Sequence, residues 1–403
     1  MKPPLSCVIA GIILLATHLA QSIPHNGSFE AFDDQARAGR RLNVVFFGGL
    51  FTEGAGLKDI RMDSWRERFQ QFLVGRYPRA EFRFDLVSLG ESGSKRAMFY
   101  SRNVLSQMKP DLVFVDFLIE DGIKGEDRET LAAYEGILHD FARGGVPIMQ
   151  VFTGVRSVQG NSWKPVMPQR LRDYLEFVTL YRTGVGESYQ TLHQVLASKQ
   201  YTMDDIWPDD AKYPSAVGHD LIFASLRDGY LKAVAQNRFG MIPSKPVFAW
   251  YYWSRDEVVL GDHPLPDGWS KSQGSLPSIP HSGKSGANTL ATWESGAEKI
   301  ILPLRLNFRG TRVAISGEAG ADNLDFKVTI DGQPILPPAG TDKKKRLVWT
   351  IATSGTKSEK TEFWLELTSR LSPGPHSLEL TPVVEDSGRI KQLRIRSIFS
   401  AGE

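Results

Sequence analysis

"VVFFGGLFTEGAG", Val44 to Gly56, is an apolar, β-branched and aromatic run that stops at a pair of glycines and passes into a polar loop. A continuous apolar run of this length, closed by a turn signal, reads as a strand buried on both faces. Outward from it, between Leu42 and about Ala235, similar short runs alternate with helical patterns, the grammar of a parallel sheet covered by helices. The predicted strands are Asn43 to Phe47, Glu81 to Val87, Asp111 to Phe117 and Pro147 to Phe152. Between the first two, Trp65, Phe69, Phe72 and Leu73 recur at helical spacing and would bury one face. Helical patterns also run through Arg96 to Met108, Arg128 to Phe141, Gln169 to Tyr181 and Ala216 to Val234.

After Arg238 the pattern changes. Pro243, Pro246, Pro264 and Pro266 punctuate a connection, and from Lys299 the chain alternates in short strands such as "FKVTIDG", "FWLEL", "HSLELTP" and "LRIRSIF". Asp331-Gly332 is a hairpin turn signal. The expected architecture is therefore α/β, a three-layer parallel sheet flanked by helices over 42–238, then a connecting segment over 239–298 and an all-β sandwich or jelly roll over 299–403.

Composition excludes some functions. A chain of 403 residues is long enough for two domains. With 23% charged residues and a formal net charge of +2, it carries no electrostatic argument for nucleic acid or an anionic membrane. Lys2 followed by the apolar run Val8 to Ala20 and the small residues around Ser22 reads as a signal peptide over 1–22, with 23–41 a linker. The apolar run is shorter than the roughly 20 residues of a bilayer span, so no stable membrane span is expected after cleavage. The single cysteine, Cys7, leaves with that segment. Export without a disulfide fits a secreted or periplasmic protein.

Four separated blocks resemble the SGNH (GDSL-like) esterase and lipase family in the family's order: "FFGGLFTEGAG", "VSLGESGS", "PDLVFVDFLIED" and "DDAKYPSAVGH". The resemblance implies a flavodoxin-like sheet and ester hydrolysis by a serine that a histidine activates and an aspartate orients. It also implies an oxyanion hole made by the serine turn, a glycine and an asparagine. In those places this chain has Leu50 for the nucleophile, Gly90 for the glycine, Glu120 for the asparagine, Asp210 for the aspartate and Tyr213 for the general base. Leucine has no oxygen to acylate. An ionised glutamate only accepts hydrogen bonds and would repel an oxyanion. A phenol with an ordinary pKa of about 10 is a poor base near neutrality. His219 matches the last histidine of the final block, not the catalytic one, and is expected to brace the start of the final helix.

Neighbouring residues offer other hydroxyls, imidazoles and carboxylates. Thr52 is two positions past Leu50, where its hydroxyl is expected to cap or brace the loop. Ser92 and Ser94 sit in "GESGS", which fails the Gly-x-Ser-x-Gly elbow and reads as a turn. His139 and His193 fall within helical patterns and read as partly buried surface histidines. Glu120 and Asp121 beside Asp210 would form a carboxylate group able to raise one another's pKa values. No ligand spacing points to a metal, and no cofactor is expected.

In the second part, "WYYW", Trp250 to Trp253, is either a sugar-stacking platform or, preferably, a seal between domains. Trp293, Trp349 and Trp364 read as core, and "DKKKR", Asp342 to Arg346, as a solvated loop. Asn26-Gly27-Ser28 is an isolated sequon. The resemblance implies a carbohydrate or envelope context. The expectation is thus an exported, catalytically degenerate binding or scaffolding protein whose partner is an acylated polysaccharide, a true esterase or an envelope protein. The competing expectation is an active acyl hydrolase with a rearranged site.

Overall fold

A computed structural model describes residues 27–122, 128–154, 156, 167–208, 212–248, 254–274, 289–295, 301–337, 348–351, 360–384 and 390–402. The signal segment with Cys7, Asn26, Asp210, Trp250 to Trp253 and the loop from Asp342 to Arg346 lie outside the described residues.

The apolar run at Val44 forms the middle of β1 (Arg41–Gly48), and its Val44, Val45, Phe46 and Phe47 are fully buried. With β2 (Glu81–Ser88), β3 (Leu112–Asp116), β4 (Ile148–Phe152) and β5 (Gly184–Glu187) it builds a parallel sheet of order β2-β1-β3-β4-β5. In this order the chain leaves β1 to either side, so a crevice opens beyond the carboxyl ends of β1 and β3. Gly49 and Leu50, directly after β1, stand at that crevice.

Helices cover both faces. Helix Trp65–Arg76 lays Phe69 against Phe114 of β3, with ring centroids 4.7 Å apart, and Phe114 stacks on Phe46 at 4.8 Å. Ser64 caps this helix by accepting the Glu67 N–H. The closing helix, Ala216–Ala235, packs on β5 so closely that a methyl on Gly186 would meet Leu226 at 2.4 Å. That contact is available only where the strand has no side chain.

Three expectations need correction. The span 23–41 is not a linker throughout: Ser28 caps a helix, Phe29–Arg37, whose Phe29, Phe32 and Ala36 are buried in the first core. The expected helix Arg96 to Met108 is two, Ser94–Ala97 and Ser101–Met108, separated by Met98 to Tyr100. The segment 239–298 is more than a connection, since β6 (Arg255–Val259), β7 (Trp269–Gln273) and β8 (Thr289–Glu294) join the sheet of the second domain.

The remaining strands are β9 (Leu304–Arg309), β10 (Arg312–Ala319), β11 (Phe326–Ile330), β12 (Gln333–Pro334), β13 (Thr361–Thr368), β14 (Pro375–Pro382) and β15 (Gln392–Ala401). A six-stranded sheet runs β13-β10-β15-β8-β7, with β6 also on β15, and a four-stranded sheet runs β12-β11-β14-β9. All the described pairings in both are antiparallel. Strand β9 alternates buried and exposed residues, as a sandwich face should, whereas β10 is buried throughout. The reason is that β10 has a core on either side: Val313 and Ile315 enter the sandwich core, while Ala314 joins the core of the α/β domain. Phe399 and Ala401 of β15 do the same. Trp293 and Trp349 are buried in the sandwich, and Trp364 packs on the α/β core.

Candidate active site

The end of β1 sets the geometry. Gly49 is followed by a single helical turn, Leu50–Glu53, and Glu120 comes from the turn Leu118–Asp121 just beyond β3. A methyl on Gly49 would sit 2.3 Å from Glu120 Cδ, so the carboxylate lies directly on the glycine turn. Glu120 Oε1 accepts the Phe51 N–H at 3.3 Å. Leu50 N–H donates to the Gly90 carbonyl at 3.0 Å, and Gly90 N–H donates to Ser88 Oγ at 3.2 Å. Tyr213 closes on the same loop, its Cβ 3.2 Å from where a methyl on Gly56 would stand. Leu50, Gly90, Glu120 and Tyr213 are therefore brought together, and Asp210 lies outside the described residues.

The backbone donors that an oxyanion would need are already engaged by the protein. Three polar atoms of the site remain unpaired among the described residues, two carboxyl oxygens and a phenol that can donate as well as accept. Glu120 Oε2, Asp116 Oδ1 and Tyr213 Oη are buried with no hydrogen-bond partner among the described residues. Burial pushes the Glu120 carboxyl up to about 7, helped by Asp121 and opposed by the Phe51 N–H and by Lys212. Burial and the neighbouring Glu120 together hold Asp116 well above the usual carboxylate range. The Tyr213 phenol is raised by burial and then by Glu120, Glu91, Asp116 and Glu53. Lys212 answers part of that charge, its ammonium 5.1 Å from the Tyr213 ring centroid. A phenol pushed upward is a worse base than an ordinary one.

The candidate substitutes point inward. Thr52 is completely buried and donates its hydroxyl to Asp116 Oδ2 at 2.6 Å. The loop is braced by that bond, because it joins the turn after β1 to the end of β3. Thr52→Val is expected to destabilise by about 1–3 kcal/mol, since it leaves a buried acid without its donor. Urea denaturation measures the loss, and Thr52→Ser should behave close to wild type.

Asp121 is likewise occupied. It accepts Ser94 N–H at 2.7 Å, Ser94 Oγ at 2.5 Å and Tyr174 Oη at 2.6 Å. Ser94 itself is completely buried at the start of its helix, and Ser92 Oγ accepts from Arg96 Nη1 at 3.2 Å. His219 stands in the first turn of the final helix and ties it to a second one. Its Nδ1 accepts the Trp65 N–H at 3.2 Å, fastening Trp65–Arg76 to Ala216–Ala235, and burial lowers its pKa to about 3, so the ring is neutral. His139 is buried rather than at the surface.

Asp116, Glu53, Glu91 and Lys212 take part in the site but were not singled out from the sequence. For Asp116 the signal was present, a carboxylate inside the apolar run "LVFVDF". Among the described residues no group of three or more His, Cys, Asp or Glu could hold a metal ion, and no helix is long and apolar enough to cross a membrane. Cavities of roughly 320 and 410 Å³ lie elsewhere, the first lined by Pro110, Asp111 and Gly144 to Pro147, the second by Asn307 to Arg309 and Ser254 to Asp256.

No family model and no curated protein matches the chain. Among solved structures, it is similar to a two-domain esterase (CEX) active on acetylated mannans, co-crystallized with mannopentaose. That alignment has 14% identity and a TM-score of 0.68, covering 94% of this chain and 97% of that one. A second structure of a two-domain esterase (CEX) active on acetylated mannans gives a TM-score of 0.69 at 14% identity, covering 94% of this chain and 98% of its own. Axe2, an acetylxylan esterase from Geobacillus stearothermophilus, aligns over 47% of this chain and 94% of its own at 13% identity, with a TM-score of 0.39. The fold is accordingly that of the two-domain structure with which it aligns along its length, a parallel sheet flanked by helices and carrying an additional β domain.

Proposed function

We propose that this is an exported, SGNH-fold protein that binds or scaffolds acylated carbohydrate or cell-envelope material without cleaving esters. One observation carries the reading: the backbone donors of Leu50, Phe51 and Gly90 are each bonded within the protein, and a carboxylate lies where a further donor would be needed. Above about pH 7, where Glu120 is ionised, an acyl-transfer oxyanion would meet a carboxylate there instead of an amide donor. Leu50 adds no nucleophile, and the hydroxyls of Thr52 and Ser94 are too deeply buried for a substrate carbonyl to reach. This weighs against a rearranged hydrolase. Its fold likeness to an esterase active on acetylated mannans makes acetylated mannan the first polysaccharide to test.

The expected result is retardation of the purified protein by acetylated mannan in affinity electrophoresis, with no acetate released and no labelling by a serine-directed fluorophosphonate. Saturable acetate release that Glu120→Ala abolishes would overturn the reading. Each missing oxyanion donor is worth about 100- to 1,000-fold in rate, so L50S/E120N/Y213H together should raise aryl acetate hydrolysis where L50S alone does not.

A further inference from the structure

The loop that follows Gly90 is held from outside its own domain. Arg96 is buried, and its Nη2 donates to Glu362 Oε2 of β13 at 2.7 Å while its Nη1 reaches back to Ser92 Oγ. The other Glu362 oxygen accepts from Arg396 Nη1 of β15 at 3.3 Å, and Arg396 Nη2 donates to Glu318 Oε1 of β10 at 2.9 Å. Arg396 and Glu318 are almost completely buried. A continuous chain of charge-assisted bonds thus runs from the turn beside Leu50 into the six-stranded sheet. Apolar contacts run alongside it, Phe99 lying 5.2 Å and Tyr100 5.5 Å from Phe399 between ring centroids.

We propose that Glu362 is a positioning residue for the Gly90–Arg96 loop, so that the loop's conformation and the docking of the β domain form one cooperative unit. The short helix Ser94–Ala97 is too brief to hold itself: four residues cannot repay the cost of helix nucleation. Its buried anchors are Asp121 on one side, through Ser94, and Glu362 on the other, through Arg96. Losing Glu362 takes the carboxylate from buried Arg96, whereas Arg396 keeps Glu318, and the cheapest relief is for Arg96 to swing to water and release the loop. The β domain then acts as a clamp on the crevice loop, whatever ligand the protein takes. Distance alone would not couple the two regions. The coupling is carried by a bonded, buried path with two alternatives for Arg96, paired or hydrated.

The test is hydrogen exchange on the full chain. In Glu362→Gln, exchange of the amides of Ala97 and Met98, which bond to Gly93 and Ser94 carbonyls, is expected to rise at least about tenfold, equivalent to about 1.4 kcal/mol of local opening. Helix Ala216–Ala235 and strands β11 and β14 should keep wild-type rates. Glu379→Gln, which removes a pair with Arg305 on the far sheet, should change neither region. Glu362→Asp, which keeps the negative charge between Arg96 and Arg396, should hold the loop closer to wild-type protection than Glu362→Gln does. Unchanged exchange at Ala97 and Met98 in Glu362→Gln would overturn the proposal. A rise shared equally by every segment would do so too, because it would mark general destabilisation rather than a local clamp.

Discussion

Truncating Asp140 to alanine is expected to cost about 3–5 kcal/mol of folding free energy, the typical consequence of leaving a buried cation without its partner. Asp140 lies on helix Arg128–Arg143 with its side chain 4% exposed. It accepts Ser101 Oγ at 2.6 Å and Arg102 Nε at 3.2 Å, and it pairs with Arg255, the first residue of β6. The Arg255 side chain is 3% exposed and its Nε and Nη1 have no partner among the described residues, so it depends on that carboxylate. Burial by itself would raise the Asp140 pKa; Arg255, then His139, Arg102 and Ser101, overcome it and hold it at about 2. A depressed carboxyl stabilises the fold above its unfolded pKa of about 4, and that contribution is lost as pH falls from about 4 toward 2. Urea denaturation of wild type and D140A at pH 7 measures the difference, and D140A/R255M should recover much of it because it removes both charges. A loss under about 1 kcal/mol for D140A would show that Arg255 finds water or another acceptor cheaply.

Most of the α/β architecture was legible because its cues are local. Apolar runs of strand length marked β1 to β4, and the Asp331-Gly332 signal closes the hairpin of β11 and β12, both residues taking the positive φ values that such a turn requires. Strand β5 was not legible. "GVGE" has a single branched residue, Val185, because Gly184 and Gly186 are there to let helices and Met149 approach. Helix Phe29–Arg37 carries its Ser28 cap and an apolar face, but lies within the segment 23–41 read as a linker. Polar strands such as β7, "WSKSQ", hid among prolines and serines. At the site, the losses at Leu50, Glu120 and Tyr213 could be read by resemblance. The engagement of the backbone donors could not, since Leu50 with Gly90 and Phe51 with Glu120 are pairs made by folding. The buried Arg96, Glu362 and Arg396 chain had no sequence mark at all, as charged residues in alternating strands normally face water.

Glu120 gives the second large effect, one of pH. Its folded pKa of about 7 exceeds the ordinary glutamate value, so between roughly pH 4.5 and pH 7 the folded protein binds a proton more tightly than the unfolded chain. The sign follows directly. Stability falls as pH rises through that window, by on the order of 3 kcal/mol when Glu120 is finally ionised. Asp116 is shifted the same way and deepens the loss, because two buried carboxyl groups resist ionising together. Glu120→Gln keeps an oxygen for the Phe51 N–H and carries no charge, so it should be more stable than wild type at pH 8, about equal at pH 5, and flatter between. Urea midpoints at pH 5, 6, 7 and 8 provide the measurement, and parallel slopes for wild type and variant would exclude Glu120 as the source. The same variant bears on the chemistry of the crevice. A glutamine amide, like a protonated glutamic acid, can donate where an ionised glutamate can only accept. If affinity for an acetyl-bearing ligand rises in Glu120→Gln and, in wild type, rises as pH is lowered below 7, then the proton on Glu120 decides which ligands this crevice admits. If neither change moves affinity, ligand recognition is located away from Glu120.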